Sequence, residues 1–237
     1  MFVSYNKNNV ILNSIFEKLD GIKKYEAFVN NTSCDDFERT LYLNNKQSVK
    51  TNLVLSADGK NSQLRKLLSI KTIAKKTGHI AISGFLEQSR EHKFTAIQAF
   101  TDLGPIGLLP FENKNKLNFV LSVEKNKYKN ILSKDDPKKY ICEKLDTFFS
   151  NLKLNFKPIK KINNINNEIS SWPLNLNFII NPTTKRAILI GDAAHSLHPL
   201  AGQGLNLAIK DCVSMINSIE ESLKFGNDLG DISILKS

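Results

Sequence analysis

This 237-residue chain has only three cysteines, Cys34, Cys142 and Cys212, far apart and odd in number. That excludes a disulfide framework and a thiolate metal site, and reads as reduced thiols of an intracellular protein. No apolar run approaches the roughly 20 residues a membrane span needs, and the N-terminus carries no apolar segment of the secretory kind. The single tryptophan, Trp172, reads as core packing. Acidic residues are also in deficit: 33 Lys and Arg against 23 Asp and Glu leave a net charge of +10. The excess is spread through Lys- and Asn-rich stretches at 125–129, 138–139 and 157–161, with Tyr128 almost the only aromatic among them. Without a nucleic-acid-binding motif this reads as a solvated basic surface, with no nucleic-acid partner. Attraction to anionic headgroups would need charges clustered on one face, which the sequence does not show.

With 41% hydrophobic residues, the chain can bury one large core or two small ones. Its most informative stretch runs from Arg186 to Asp211. Ala187 to Ile190 is a short apolar run that suits a strand covered on both faces. It stops at Gly191-Asp192, so a carboxylate stands just past a strand's carboxyl end, where open α/β sheets bind ligands and where it can accept from sugar or polyol hydroxyls. A loop with Pro199, Gly202 and Gly204 follows, then an apolar stretch from Leu205 to Ile219 that predicts a mostly buried helix. Glycines at a helix start admit a ligand to free N–H groups, where the helix dipole favours negative charge. The unit suits a hydroxylated, partly anionic ligand.

Earlier in the chain, the spacing predicts an amphipathic helix over about 9–19. Three strands are expected at Tyr25 to Val29, Phe37 to Leu43 and Ser48 to Leu55, with turns at Asn30-Asn31 and Asn44-Asn45. The third runs into Asp58-Gly59, a turn before a short helix bearing Ser62 and Arg65. From about Ile73 alternating segments at Ile80 to Leu86, Thr95 to Thr101 and Leu117 to Val123 predict an antiparallel sheet. Between them, Gly104-Pro105-Ile106-Gly107-Leu108-Leu109-Pro110 reads as a shaped loop or interrupted edge, because two prolines and two glycines oppose a long regular strand. Asp136-Pro137 starts a helix through about Leu152. His195 and His198 lack a third ligand, so no metal site is expected.

Gly191-Asp192-Ala193-Ala194-His195, His198-Pro199, Gly202-Gln203-Gly204, Leu205-Asn206 and Asp211 together resemble the second FAD-binding motif of the flavoprotein aromatic hydroxylases, within them the ubiquinone-biosynthesis hydroxylases. The segment around Asp58-Gly59 and Arg65 resembles that family's middle motif. The resemblance implies a mixed α/β fold: a partial three-layer FAD-binding domain (1–70 and 172–237) with an inserted antiparallel-sheet substrate domain (71–171). It implies FAD as cofactor and NAD(P)H as electron donor. In the family, reduced FAD takes up O₂ as a C4a-hydroperoxide that oxygenates an aromatic ring, here a polyprenylated phenol. Carried over, Asp58, Gly59 and Arg65 lie on the pyrophosphate and NAD(P)H side, with Arg65 assisting phosphate charge. Asp192 takes a ribityl hydroxyl, Pro199 neighbours the flavin, and the amides from Gly202 through Gln203 and Gly204 to Leu205 face the N1/C2 edge. Gly104, Pro105, Leu109 and Pro110 fall near the substrate ring. No catalytic base is visible. The family's opening Gly-x-Gly-x-x-Gly turn does not occur here, so the resemblance implies a fragment. The alternative is a non-catalytic flavin-domain remnant in a multiprotein complex. The expected location is cytoplasmic, either free or peripheral at the inner face of the membrane.

Overall fold

The computed structural model describes residues 13–235 except 20, 112, 160, 163, 164, 167, 168 and 197–202. Of the helix expected near the N-terminus, only 13–16 are helical within the described residues. The chain divides into two units, one holding the described residues up to Ala74 and from Leu176 onward, the other running from Lys75 to Asn175.

The first unit opens with an antiparallel meander of β1 (Val29–Cys34), β2 (Arg39–Leu43) and β3 (Ser48–Thr51). The first strand lies later than expected, because Asn30-Asn31 is not a turn. A register shift between Val29 and Asn31 drops Asn30 from the ladder, so the asparagines are absorbed in a bulge. The turn forms instead at Asp35, whose carboxylate accepts from the backbone N–H groups of Phe37 and Glu38, each at 2.8 Å. The third expected strand also divides. After Asn52-Leu53 the chain leaves the meander as β4 (Val54–Ser56), which pairs in parallel with β14 (Ala187–Leu189). A two-residue strand, β13 (Thr183–Thr184), closes the order β13-β14-β4. All three residues of β14 are buried, as their continuous apolar character requires. Val54, Leu64 and Ala187 form one small core; Ile179, Leu189, Ala193 and Ala194 form another.

Arg186 fastens this unit. It occupies the turn between β13 and β14 with φ of 59°, a left-handed conformation that costs a non-glycine residue about 1 kcal/mol or more. Its side chain, 2% exposed, donates to the carbonyls of Asp36 (3.0 Å) and Asn52 (3.1 Å) and makes a two-pronged pair with the Asp228 carboxylate. The guanidinium holds Asp228 below the usual carboxylate range. Three segments distant in sequence meet on one side chain, which outweighs the strain at the turn.

The second unit is a sheet in the order β12-β5-β8-β7-β6, built from β5 (Ile73–Gln88), β6 (Ile97–Thr101), β7 (Gly104–Phe111), β8 (Lys116–Glu124) and β12 (Ser170–Phe178). β9 (Phe156–Pro158) pairs with the far end of β5, and β10 (Lys161–Ile162) forms a small hairpin with β11 (Ile165–Asn166). Ile82, Leu86, Ile106, Leu108, Phe119 and Leu121 point from one sheet face into a core completed by Ile131 of α2 (Lys125–Leu132) and by Ile141 and Leu145 of α3 (Pro137–Phe148). At roughly 1.5–3 kcal/mol for each fully buried aliphatic side chain, this is the larger source of hydrophobic stability in the chain.

The segment 104–110 corrects the expectation of a shaped loop or interrupted edge: it lies within the eight-residue strand β7, which is paired on both sides. Pairing with β8 begins only at Ile106, beyond Pro105, and pairing with β6 ends at Leu108, before Pro110. Each proline therefore stands where β7 has one neighbour, and a missing N–H on the other side costs no ladder bond. Gly104 is required for a second reason. Its φ is 138°, and a Cβ there would lie 2.1 Å from the Ser122 carbonyl oxygen. Gly107 meets nothing within 4 Å. Gly104→Ala should therefore destabilise the protein by roughly 2–3 kcal/mol in denaturant titration. Gly107→Ala should change it by less than about 0.5 kcal/mol; equal effects would contradict this assignment.

Candidate functional site

The parallel pairing of β4 with β14 sets Ser56 opposite Leu189, so the turns that follow the two strands leave the sheet side by side at the same end. Ile190 N–H donating to the Ser56 carbonyl at 3.0 Å extends the ladder to the edge of both turns. Asp58-Gly59 and Gly191-Asp192, 133 positions apart, are thus brought to one edge.

On the first turn, Asp58 accepts from Ser56 Oγ at 2.6 Å and from the Leu64 amide at 3.1 Å. Burial alone would raise the Asp58 pKa, but donors from Ser56, Ser62 and Leu64 outweigh it and hold the carboxyl below its ordinary range. Ser62 also caps the helix α1 (Gln63–Leu67), accepting from Arg65 N–H at 2.9 Å. Gly59 takes φ of 79°. This carboxylate is ionised at neutral pH and fixed in direction.

On the second turn, Gly191–Ala193 is a single 3₁₀ turn with Gly191 at φ of 57°. Its conformation and surroundings both call for glycine, since a Cβ would come 3.2 Å from the Ala208 Cβ. Gly191 N–H donates to Asp211 Oδ2 at 2.8 Å, and the same oxygen lies 2.8 Å from His195 Nε2. His195 belongs to β15 (His195–Ser196), which pairs with Asn177 and Phe178, also of the first unit. Asp192 is exposed, and its Oδ1 would be 3.9 Å from a Cβ built on Gly204. The carboxylate therefore faces the first turn of α4 (Gln203–Lys224), where Gly204 leaves space open.

Arg65 joins the two turns. The residue is 8% exposed, and its guanidinium donates to the Ala193 carbonyl at 2.9 Å and to the Lys60 carbonyl at 2.8 Å. Arg65, expected to assist phosphate charge, here also holds the backbone immediately after Asp192.

Asp58, Gly59, Arg65, Gly191, Asp192 and Gly204 thus gather in the first unit. Leu205 and Asn206 follow on α4, both exposed, and Gln203 begins that helix. Pro199 and Gly202 lie outside the described residues. Gly104, Pro105, Leu109 and Pro110 are all on β7 of the second unit. Sequence reasoning gave no role to Ser56, Ser62 or Asp211. The signal for the serines was their spacing around Asp58; that for Asp211 was its place two turns into the helix after Gly204. The helix also departs from expectation. Ala208 and the buried Met215 and Ser222 face the unit, whereas Leu205, Ile209, Val213 and Ile216 form a stripe each more than half exposed. Among the described residues, no element covers that stripe.

Two acidic turns stand at the carboxyl ends of adjacent parallel strands, one facing the first turn of a long helix, the position at which open α/β sheets bind ligands. An exposed carboxylate suits a polyol hydroxyl, and the gap at Gly204 suits close approach to backbone amides, so the residues present fit a flavin cofactor. The FAD binding domain family matches residues 25–228, and the chain belongs to that family. It is 27% identical to "Ubiquinone biosynthesis monooxygenase COQ6, mitochondrial" of Dictyostelium discoideum, over 97% of this chain and 56% of that protein. It is 28% identical to "Ubiquinone hydroxylase UbiL" of Rhodospirillum rubrum, over 81% of this chain and 43% of that protein. The chain spans about half the length of the curated relatives it matches. Among solved structures, Pseudomonas aeruginosa PqsL in complex with 2-aminobenzoylacetate superposes with a TM-score of 0.70 at 17% identity, covering 94% of this chain and 60% of that one. The flavin-dependent halogenase CmlS gives 0.68 at 17%, covering 93% and 40%. These likenesses show the fold: mixed α/β with antiparallel sheets. No helix among the described residues is long and apolar enough to cross a membrane.

The depressed Asp58 pKa fixes a sign. Its contribution to stability is complete well above the unfolded value of 3.8 and is lost as pH falls through the lower folded value. Wild type should be more stable than Asp58→Asn near neutral pH, with the difference fading below about pH 4 in thermal melts. A difference that grows on acidification would contradict the geometry.

Proposed function

We propose that the protein to which this chain belongs is a flavin-dependent monooxygenase that hydroxylates an aromatic ring, a polyprenylated phenol of ubiquinone biosynthesis, with NAD(P)H as electron donor and O₂ as oxygen source. The carrying observation is the union of Asp58 and Asp192 at one sheet edge by the β4–β14 register and by Arg65. The roles of the COQ6 and UbiL relatives, a ubiquinone biosynthesis monooxygenase and a ubiquinone hydroxylase, support the substrate class.

FAD, when bound, supplies the oxygen-transfer chemistry. The chain's own residues position and polarise it. Asp192 would accept a hydrogen bond from a ribityl hydroxyl. Backbone amides at Gly204 and Leu205, with the positive end of α4 behind them, favour negative charge on the flavin's N1/C2 edge. Asp58 is an oriented acceptor on the pyrophosphate and NAD(P)H side; Arg65 keeps both turns in place and contributes positive potential. On β7, Ile106 and Leu108 enter the core; of the four residues expected near the substrate, Pro105 and Leu109 alternate to the opposite face and form the substrate-side surface, whereas Gly104 and Pro110 share the side of Ile106 and Leu108. The location that goes with such a substrate is peripheral, at a membrane surface.

A second reading, a non-catalytic flavin-domain remnant in an assembly, is favoured by one observation, the apolar stripe on α4. Fluorescence-quench titration with FAD and assay of NAD(P)H oxidation, both made on the protein to which this chain belongs, separate the two. The enzyme reading expects saturable FAD binding, phenol-stimulated NAD(P)H oxidation, and FAD affinity lowered about ten- to hundredfold in Asp192→Ala through loss of a charge-assisted hydrogen bond. Saturable FAD binding without NAD(P)H oxidation would favour the remnant. Unchanged affinity in Asp192→Ala would remove Asp192 from the site.

A further inference from the structure

One end of the second unit is assembled from three segments that the proposed reaction leaves unused. The Ser89 amide donates to the Asn155 carbonyl at 2.8 Å, and Ser89 Oγ accepts from the Asn155 amide at 3.1 Å, which joins the loop after β5 to the chain after α3. His92 joins the same loop to the β7–β8 turn. Its amide donates to the Lys114 carbonyl at 2.7 Å, and its Nε2 donates to the Asn113 carbonyl at 2.8 Å. The Phe94 amide donates to Nδ1 of that ring at 3.0 Å, which fixes the proton on Nε2. The Thr95 amide closes the loop on the His92 carbonyl at 2.8 Å.

These bonds hold a conformation that the local sequence disfavours. Lys93 and Phe94 take φ of 47° and 56°, and Lys153 on the adjoining segment takes 50°. Left-handed backbone is strained at a non-glycine residue, most of all at a bulky one. The outcome is a phenyl ring 85% exposed at Phe94, while Leu152, next to Lys153, is 54% exposed. Strain maintained by a bond network so that apolar side chains stand in water marks a surface that something covers.

The charge around these apolar side chains is one-sided. Arg90, Lys93, Lys114, Lys116, Lys153 and Lys157 lie on the three segments, against the acids Glu87, Glu91 and Asp146. Glu91 pairs with Lys114 at 3.2 Å, Glu87 lies between Lys116 and Lys157 in the sheet register, and Asp146 accepts from the Phe156 amide. Arg90, Lys93 and Lys153 are exposed, and among the described residues none of them has an ion-pair partner. Cations that the sequence scatters over residues 90–157 are thus collected at one end by the fold.

We propose that this end of the second unit docks on an anionic bilayer surface. Phe94 and Leu152 enter the boundary between headgroups and acyl chains, and Arg90, Lys93 and Lys153 meet lipid phosphates. Long cationic side chains lay their stems on apolar surface and keep their charges among headgroups, so cations interleaved with a phenyl and an aliphatic side chain match a bilayer at both depths. A nucleic acid would satisfy the cations but offer Leu152 no counterpart. The choice of a bilayer also rests on the peripheral location proposed above; the surface itself lies within the second unit and uses no residue that holds the flavin.

The test is vesicle flotation of the protein to which this chain belongs, without FAD or substrate, on phosphatidylcholine alone and on equimolar phosphatidylcholine and phosphatidylglycerol. The mixed vesicles should bind it roughly tenfold more tightly or better, with affinity falling as salt is raised. Phe94→Asn relieves the left-handed strain, so it should keep or raise thermal stability while weakening binding about tenfold. Arg90→Ala combined with Lys93→Ala should weaken binding about thirtyfold. Phe37→Ser, which removes a ring 81% exposed in the first unit, should leave binding unchanged. Equal binding to the two vesicles, wild-type binding by Phe94→Asn, or a loss in Phe37→Ser as large as that in Phe94→Asn would each overturn the proposal. So would a loss in the double variant confined to single-stranded DNA. With no FAD in the assay, failure here leaves the flavin site as argued, and failure of FAD to bind leaves this surface as argued.

Discussion

Everything on the flavin side depends on the parallel alignment of two three-residue strands, β4 and β14. Parallel pairing is what puts both following turns at the same end of the sheet; antiparallel pairing would send them to opposite ends. Three residues apiece are too few to fix that alignment by ladder bonds alone, so side chains reinforce it at both ends. At the amino end Arg186 ties its turn to the carbonyls of Asp36 and Asn52 and to Asp228. At the carboxyl end Arg65 reaches from α1 to the carbonyl of Ala193. Both guanidiniums are buried and satisfied by carbonyls or a carboxylate, which makes them worth their desolvation.

The second turn shows how an acid can matter without touching a ligand. Asp211 gives one oxygen to the Gly191 amide and to His195, so it anchors the turn that presents Asp192. Asp58 is prepared differently: its own neighbours, Ser56 and the Leu64 amide, keep it ionised and pointed. One carboxylate is fixed through its backbone and the other through its side chain.

Much of this was legible in the chain. The apolar run at 187–190 ending in Gly-Asp, and the Asp-Gly turn before Ser62 and Arg65, gave both turns and the strands before them. The alternation at 80–86, 95–101 and 117–123 gave three strands of the larger sheet, β5, β6 and β8. What failed did so for physical reasons. Proline is read as a breaker, yet Pro105 and Pro110 occupy the one-sided ends of β7, and register is invisible in sequence. Asn30-Asn31 is read as a turn, yet a bulge accommodates it. Apolar content in α4 is read as burial, yet it is distributed over two faces, of which described residues cover one. The roles of Arg65 and Arg186 depend on carbonyls 128 and 150 residues away, a distance no local pattern spans.

The central claim is that the two turns form one cofactor-holding edge. Hydrogen–deuterium exchange of the protein with and without FAD tests it most directly. The account predicts that FAD slows exchange together at the amides of 58–65, 191–193 and 204–206. Protection at only one of the two turns, or at neither, would contradict it.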